Sequence, residues 1–181
     1  TSIAYQQASV ADAAIANIAS MRDGDNRLLW RFPARRLEAE TVRDAMLAVS
    51  GDLNPQQGGP SFKPFTVTVF NTHFYHLHDQ DKPEFQRRTI YRAAVVTARS
   101  PLLTALDCPA PSLATPVRQE TVTPLQALGL MNDSFVLRQA TRLAARVEIS
   151  AGRSPTAQVR EVYEVALGRE PTAGESAVGV N

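Results

Sequence analysis

The chain has 181 residues, 44% of them hydrophobic, which suffices for one compact domain with a core of its own and is too short to expect two. Its 19 basic and 18 acidic side chains leave a net charge of +1, so no global field draws it to nucleic acid or to an anionic membrane. The single cysteine, Cys108, excludes an internal disulfide. No Cys/His cluster suggests zinc, and no stretch approaches the ~20 apolar residues of a membrane span.

Lys63 and Lys82 are the only lysines. Arginine therefore supplies nearly all the positive charge, and its forked guanidinium suits structural ion pairs or recognition of a planar anion.

Ser9 ahead of the Ala-rich VADAAIANIASM predicts a short helix over residues 9–21. DGDNRLLWRFPARR then carries an acidic turn into Leu28, Leu29 and Trp30, with Trp30 expected in the core, before Pro33 stops the run. In RLEAETVRDAMLAVSG, Val42, Ala45, Met46 and Val49 recur at helical spacing and Gly51 is a natural stop, which predicts a helix over 37–50. DLNPQQGGPSFKP is a loop by its glycines and prolines.

FTVTVFNTHFYHLH has the β-branched and aromatic alternation of a strand. RRTIYRAAVVTA is its expected partner after the turn DQDKPEF, although its alanines leave a helix open. Residues 100–123, with Pro101, Pro109, Pro111 and Pro116, read as a long irregular connection. Thr123 then caps a helix beginning at Pro124, Asp133 or Ser134 caps a second, and Ser154 with Pro155 opens a third, whose stripe of Val159, Val162, Tyr163, Ala166 and Leu167 ends at Gly168. Thr172 and Glu175 resemble a capping box with no helix expected to follow. The expected fold is mainly α with a small two-stranded antiparallel β element and long irregular loops, in a single domain over 1–181.

Four segments carry a resemblance: TSIAYQQAS; NRLLWRFPARRLEAETVRDAMLAVSG with the following GGPS; PEFQRRTIYR with PLLTALDCPAP; and TPLQALGLMNDSFVLRQATRLAAR. In order and spacing they resemble a domain of unknown function in planctomycete-type secreted proteins, found beside planctomycete cytochrome c domains. The resemblance covers nearly all of residues 1–175 and matches the later part of that domain, so the chain is expected to be a fragment of a larger one. It implies an extracytoplasmic protein that handles polysaccharide or oligosaccharide, with a cytochrome c domain in the same parent as a further partner. It supplies no catalytic residues, and the cofactor stays unknown.

Candidate chemistry is then read from the residues. Arg27, Arg31, Arg35, Arg36 and Arg43, interleaved with Asp25, Glu38, Glu40 and Asp44, either orient a sugar or anion or form structural ion pairs. His73, His76 and His78 stand beside Asp79, Asp81 and Glu84. On one strand His76 and His78 would share a face, too few ligands for a metal site, so no metal is expected, while His73 is a candidate general base.

Paired carboxylates are the equipment of glycoside hydrolysis. Asp44 and Asp107 are the chosen acid/base candidates, Asp107 because no periodic structure demands a carboxylate there. Arg43, Arg87, Arg88 and Gln126 are the candidate substrate-binding residues. No GxSxG elbow, phosphate loop, dinucleotide fingerprint or CxxCH is present. The functional expectation is a carbohydrate-active hydrolase of glycosidic or ester bonds, and the alternative is a non-catalytic polysaccharide-binding or scaffold module.

Overall fold

The computed structural model describes residues 3–78 and 80–180 and is mainly α with one small antiparallel sheet, as the sequence leads one to expect. It divides into two compact units, Thr1–Leu37 and Glu38–Asn181.

The small unit holds α1 (Ile3–Gln6) and α2 (Ala13–Arg22). Asp12, not Ser9, caps α2, accepting from the Ala14 amide at 2.9 Å. Asp23 organises the turn after α2: its carboxylate accepts from the amides of Arg27 and Leu28 at 2.8 and 2.7 Å. Its carbonyl takes the Trp30 indole N–H at 2.9 Å. Trp30 is half-buried beside Ile15 and Ile18, so the tryptophan expected in a core lies on a partly open apolar surface.

The large unit is built on α3 (Ala39–Ser50), which ends at Gly51 in the left-handed region, φ 88°, a conformation that favours glycine. Its deepest face is Ala39, Arg43, Leu47 and Ser50 rather than the expected Val42, Ala45, Met46 and Val49, which are only half-buried. The stripe is rotated because Arg43 has hydrogen-bond acceptors inside, and a satisfied arginine can be buried.

Two other expectations are corrected. FTVTVFNTHFYHLH is not one strand but a hairpin, β1 (Phe65–Val69) paired antiparallel with β2 (His73–Leu77), with Thr66 opposite His76 and Val69 opposite His73. Phe70, Asn71 and Thr72 turn the chain, closed by a 3.1 Å bond from the Phe70 amide to the Thr72 carbonyl. RRTIYRAAVVTA supplies no strand; 3-10 turns occupy Pro83–Gln86 and Thr89–Tyr91, and only isolated bridges, Asn54 to Arg87 and Phe62 to Arg92, tie this segment to the preceding loop.

The proline-rich connection also begins with order. Ser100 caps α4 (Pro101–Ala105), since proline in the first turn gives up an N–H that has no intrahelical partner anyway. Next come α5 (Pro124–Asn132), α6 (Ser134–Ala151) and α7 (Pro155–Leu167), each with its expected cap. α8 (Ala173–Val180) does form behind the Thr172–Glu175 capping box. It approaches α7 closely enough that a Cβ at Gly179 would sit 2.9 Å from Val159.

Leu102, Leu103 and Leu106 pack on Ala39, joined by Leu130, Phe135 and Val136, so α3, α4, α5 and the start of α6 enclose the core. Burial of such side chains contributes roughly 1.5–3 kcal/mol each.

Candidate functional site

The structure brings four of the sequence-selected residues together. α3 presents Arg43 and Asp44 side by side toward the turn Thr89–Tyr91. The Asp44 carboxylate accepts from the Thr89 amide at 2.7 Å and its hydroxyl at 2.6 Å, with Arg43 and Arg88 nitrogens 3.6 and 3.7 Å away.

Arg43 donates to the carbonyls of Arg87 and Phe85 at 3.1 and 2.5 Å and to the Thr89 hydroxyl at 3.1 Å. Its guanidinium lies between the rings of Phe62 and Phe135, 5.7 and 5.1 Å from their centroids. Burial pulls its pKa down to about 10, against Asp44, which raises it, and with the charge of Arg92, which lowers it further.

Arg87, 7% exposed, donates to the Pro60 carbonyl at 2.8 Å and to the Gly58 carbonyl, and stacks on Tyr91 at 4.2 Å. Gly58 and Gly59 both adopt positive φ to make that loop. Arg88 is largely exposed. The cluster is therefore a clamp joining helix, turn and loop, in which the terminal nitrogens of Arg43 and Arg87 donate mainly to backbone carbonyls while Arg87 Nε has no partner among the described residues.

Asp107 and Gln126 form a second cluster. Asp107 has a φ of 66° and accepts from the Thr121 amide and hydroxyl, both at 2.8 Å, and from the Gln126 amide at 3.2 Å. Gln126, 6% exposed, also completes the capping box of α5 with Thr123. Together they staple the irregular stretch after α4 to the start of α5.

His73 stands elsewhere, exposed on the hairpin and stacked on Tyr75 with ring centroids 6.5 Å apart. His76 points to the opposite face of β2 and is exposed, and His78 lies beyond the strand, half-buried. Asp79 lies outside the described residues. Among the described residues, no group of three or more His, Cys, Asp or Glu side chains is placed to hold a metal ion.

Two cavities flank the clamp, and Arg92, which sequence reasoning did not single out, lines both. The larger, about 430 Å³, also contains Glu40, Arg99, Cys108 and Arg118. Burial works to raise the Glu40 pKa, but the 2.7 Å bond from Arg118 and that cation's charge leave it lowered. Burial and then Glu40, whose carboxylate takes the Cys108 S–H at 3.6 Å, push the thiol up. That is the opposite of what a nucleophilic cysteine needs.

The smaller cavity, about 220 Å³, opens between the end of the hairpin, the turn Pro83–Gln86 and the start of α6. Phe62, Phe85 and Phe135 give it apolar walls, and His78, Gln80 and Gln139 give it polar ones. Among the described residues of its lining, Arg43, Lys82, Arg92 and Arg138 stand with the carboxylates Asp81 and Asp133. Both carboxylates are engaged, Asp81 with Arg142 at 2.5 Å and Asp133 with the amides of Phe135 and Val136 at 3.0 and 3.3 Å.

Gln139, 4% exposed, was likewise missed. It meets the Ser50 hydroxyl at 2.6 Å, while that hydroxyl also lies 3.0 Å from the Leu47 carbonyl. A hydroxyl has one proton, so the Gln139 amide pairs with Ser50 through either its oxygen or its nitrogen. Either way its other end has no partner among the described residues.

The architecture is thus a helical scaffold with clamped carboxylates beside an arginine-lined cavity. The chain belongs to the PSD1 family, described as protein of unknown function (DUF1553), whose profile matches residues 1–181. No curated protein and no solved structure matches it. No helix of the described residues is long and apolar enough to cross a membrane.

Proposed function

We propose that the chain is a carbohydrate-binding module of an extracytoplasmic protein. The observation that carries this is the 220 Å³ cavity, whose lining combines three phenylalanines with His78, Gln80 and Gln139, side chains that both donate and accept hydrogen bonds. Sugars ask for that mixture: apolar C–H faces pack on rings, and hydroxyls pair with amides and imidazoles. Drug-sized ligands occupy roughly 300–1,000 Å³. The smaller volume here suits one sugar unit of a longer chain whose remainder runs outside.

Binding is better supported than hydrolysis. Cleavage of a glycosidic bond takes two carboxylates facing it, one with a proton to give and one free to attack or to activate water. Asp44 instead gives Oδ1 to the Thr89 amide and hydroxyl and holds Oδ2 3.7 Å from Arg88, and Asp107 gives both oxygens to Thr121, with Gln126 on Oδ2. The resemblance to secreted planctomycete chains supports the extracytoplasmic location and a cytochrome c domain as neighbour in the parent protein.

The test is a titration of the isotope-labelled chain with oligosaccharides, monitored by NMR. Shifts centred on His78, Gln80, Phe85 and Phe135 are expected. Shifts confined to other surfaces, or none with any sugar, would overturn the proposal.

A further inference from the structure

Resting on that carbohydrate reading, the geometry points to an acidic sugar: the cavity takes the carboxylate of a uronate unit, with the Arg92 guanidinium as its anchor and the Gln139 amide as a second contact. Three observations converge.

Arg92 is half-buried, and its guanidinium makes no hydrogen bond or ion pair with any described residue. The buried arginines of the clamp differ: Arg43 reaches three acceptors, and Arg87 reaches three main-chain carbonyls through its terminal nitrogens. An unpaired guanidinium in a partly desolvated wall is destabilising, and an incoming carboxylate offsets that penalty with up to two parallel N–H···O bonds. Burial already pulls the Arg92 pKa below its ordinary value.

Among the described lining residues, Arg43 is paired with Asp44 and Arg138 has an interaction of its own, which leaves Arg92 and Lys82 as the cations without an internal carboxylate, while Asp81 and Asp133 are already engaged. A neutral sugar would leave this charge unanswered. Gln139, 4% exposed with one end of its amide unpartnered, supplies a buried polar group in the same cavity. As an amide it can present either its N–H to a carboxylate oxygen or its carbonyl to a sugar hydroxyl. A planar carboxylate matches the planar fork of arginine, which is why a uronate is inferred rather than a point-like anion.

The experiment compares trigalacturonate with its fully methyl-esterified form by calorimetric titration. The two probes share their sugar rings and hydroxyls, and the ester replaces each negative charge by a neutral methyl ester. The wild-type chain is expected to bind the acid roughly tenfold to a hundredfold more tightly, the range for one or two charge-assisted hydrogen bonds. Arg92→Gln is expected to bring the two affinities together by weakening only the acid, and Arg92→Lys to retain part of the preference.

Equal affinity of the wild-type chain for acid and ester would overturn the uronate inference and leave the carbohydrate proposal standing. A preference that survives Arg92→Gln would overturn the assignment to Arg92. Failure of both probes to bind would overturn the uronate inference, while the oligosaccharide titration decides the carbohydrate proposal separately. The comparison on the wild-type chain needs no variant, so it decides the matter even if Arg92→Gln does not fold.

Discussion

Asp44 was selected from the sequence as a catalytic acid, and its surroundings make it a structural group. It holds both the amide and the hydroxyl of Thr89 and shares its charge with Arg43 and Arg88. Removing a half-buried carboxylate strands those donors. Asp44→Ala is expected to destabilise the chain by about 2–4 kcal/mol, measured by urea unfolding. His73→Ala, on the exposed hairpin, is expected to stay within about 0.5 kcal/mol of the parent in the same measurement. A stability loss at His73 matching that at Asp44 would refute this assignment of roles.

At the scale of elements, α8 depends on a charged cap. Arg169 bonds the Glu175 carboxylate at 2.8 and 2.9 Å, and the Thr172 amide bonds it at 2.8 Å. With Arg169 as the main cause and Thr172 next, the Glu175 pKa falls to about 2. The folded value lies below the ~4.3 of an unfolded glutamate, so its contribution is complete above about pH 4.3 and is lost as pH falls toward 2. An NMR titration of Glu175 should find its midpoint near 2 in the parent chain and closer to the ordinary glutamate range in Arg169→Gln. A midpoint already ordinary in the parent would exclude the cap as drawn.

The elements also show which local signals survive folding. Thr123 with Pro124, Asp133, Ser154 with Pro155, Gly51 and Gly168 marked helix ends correctly, because capping is a bond between residues two to four apart. Counting prolines across 100–123 hid α4, whose proline sits at the first helical position. Expecting RRTIYR to be a strand failed for a different reason. Thr89 is claimed by Asp44 from 45 residues away, and no local propensity reports such a partner.

For the molecule as a whole, the larger unit contains its own core around Ala39, Leu102, Leu103 and Leu106, as well as both clusters and both cavities. Residues 38–181 produced alone are therefore expected to unfold in a single transition that coincides by far-UV circular dichroism and by tyrosine fluorescence. Transitions that separate between the two probes would show that this core does not suffice. The same chain is expected to keep the carbohydrate binding proposed for the intact one.

The sequence by itself determined the class and the helical frame: a balanced charge, one cysteine, caps and stops at short spacing, and a resemblance strong enough to anticipate a family of unknown function. It also picked Arg43, Asp44, Arg87 and Arg88, which do meet, although as a clamp. Tertiary structure alone decided which charges are answered within the fold and which are not. Arg92 and Gln139 come from separate segments, each unremarkable in its own stretch, and line one cavity only once α6 packs on α3. Capping is local and legible, whereas the pairing of a buried charge is a long-range fact that composition and periodicity do not encode.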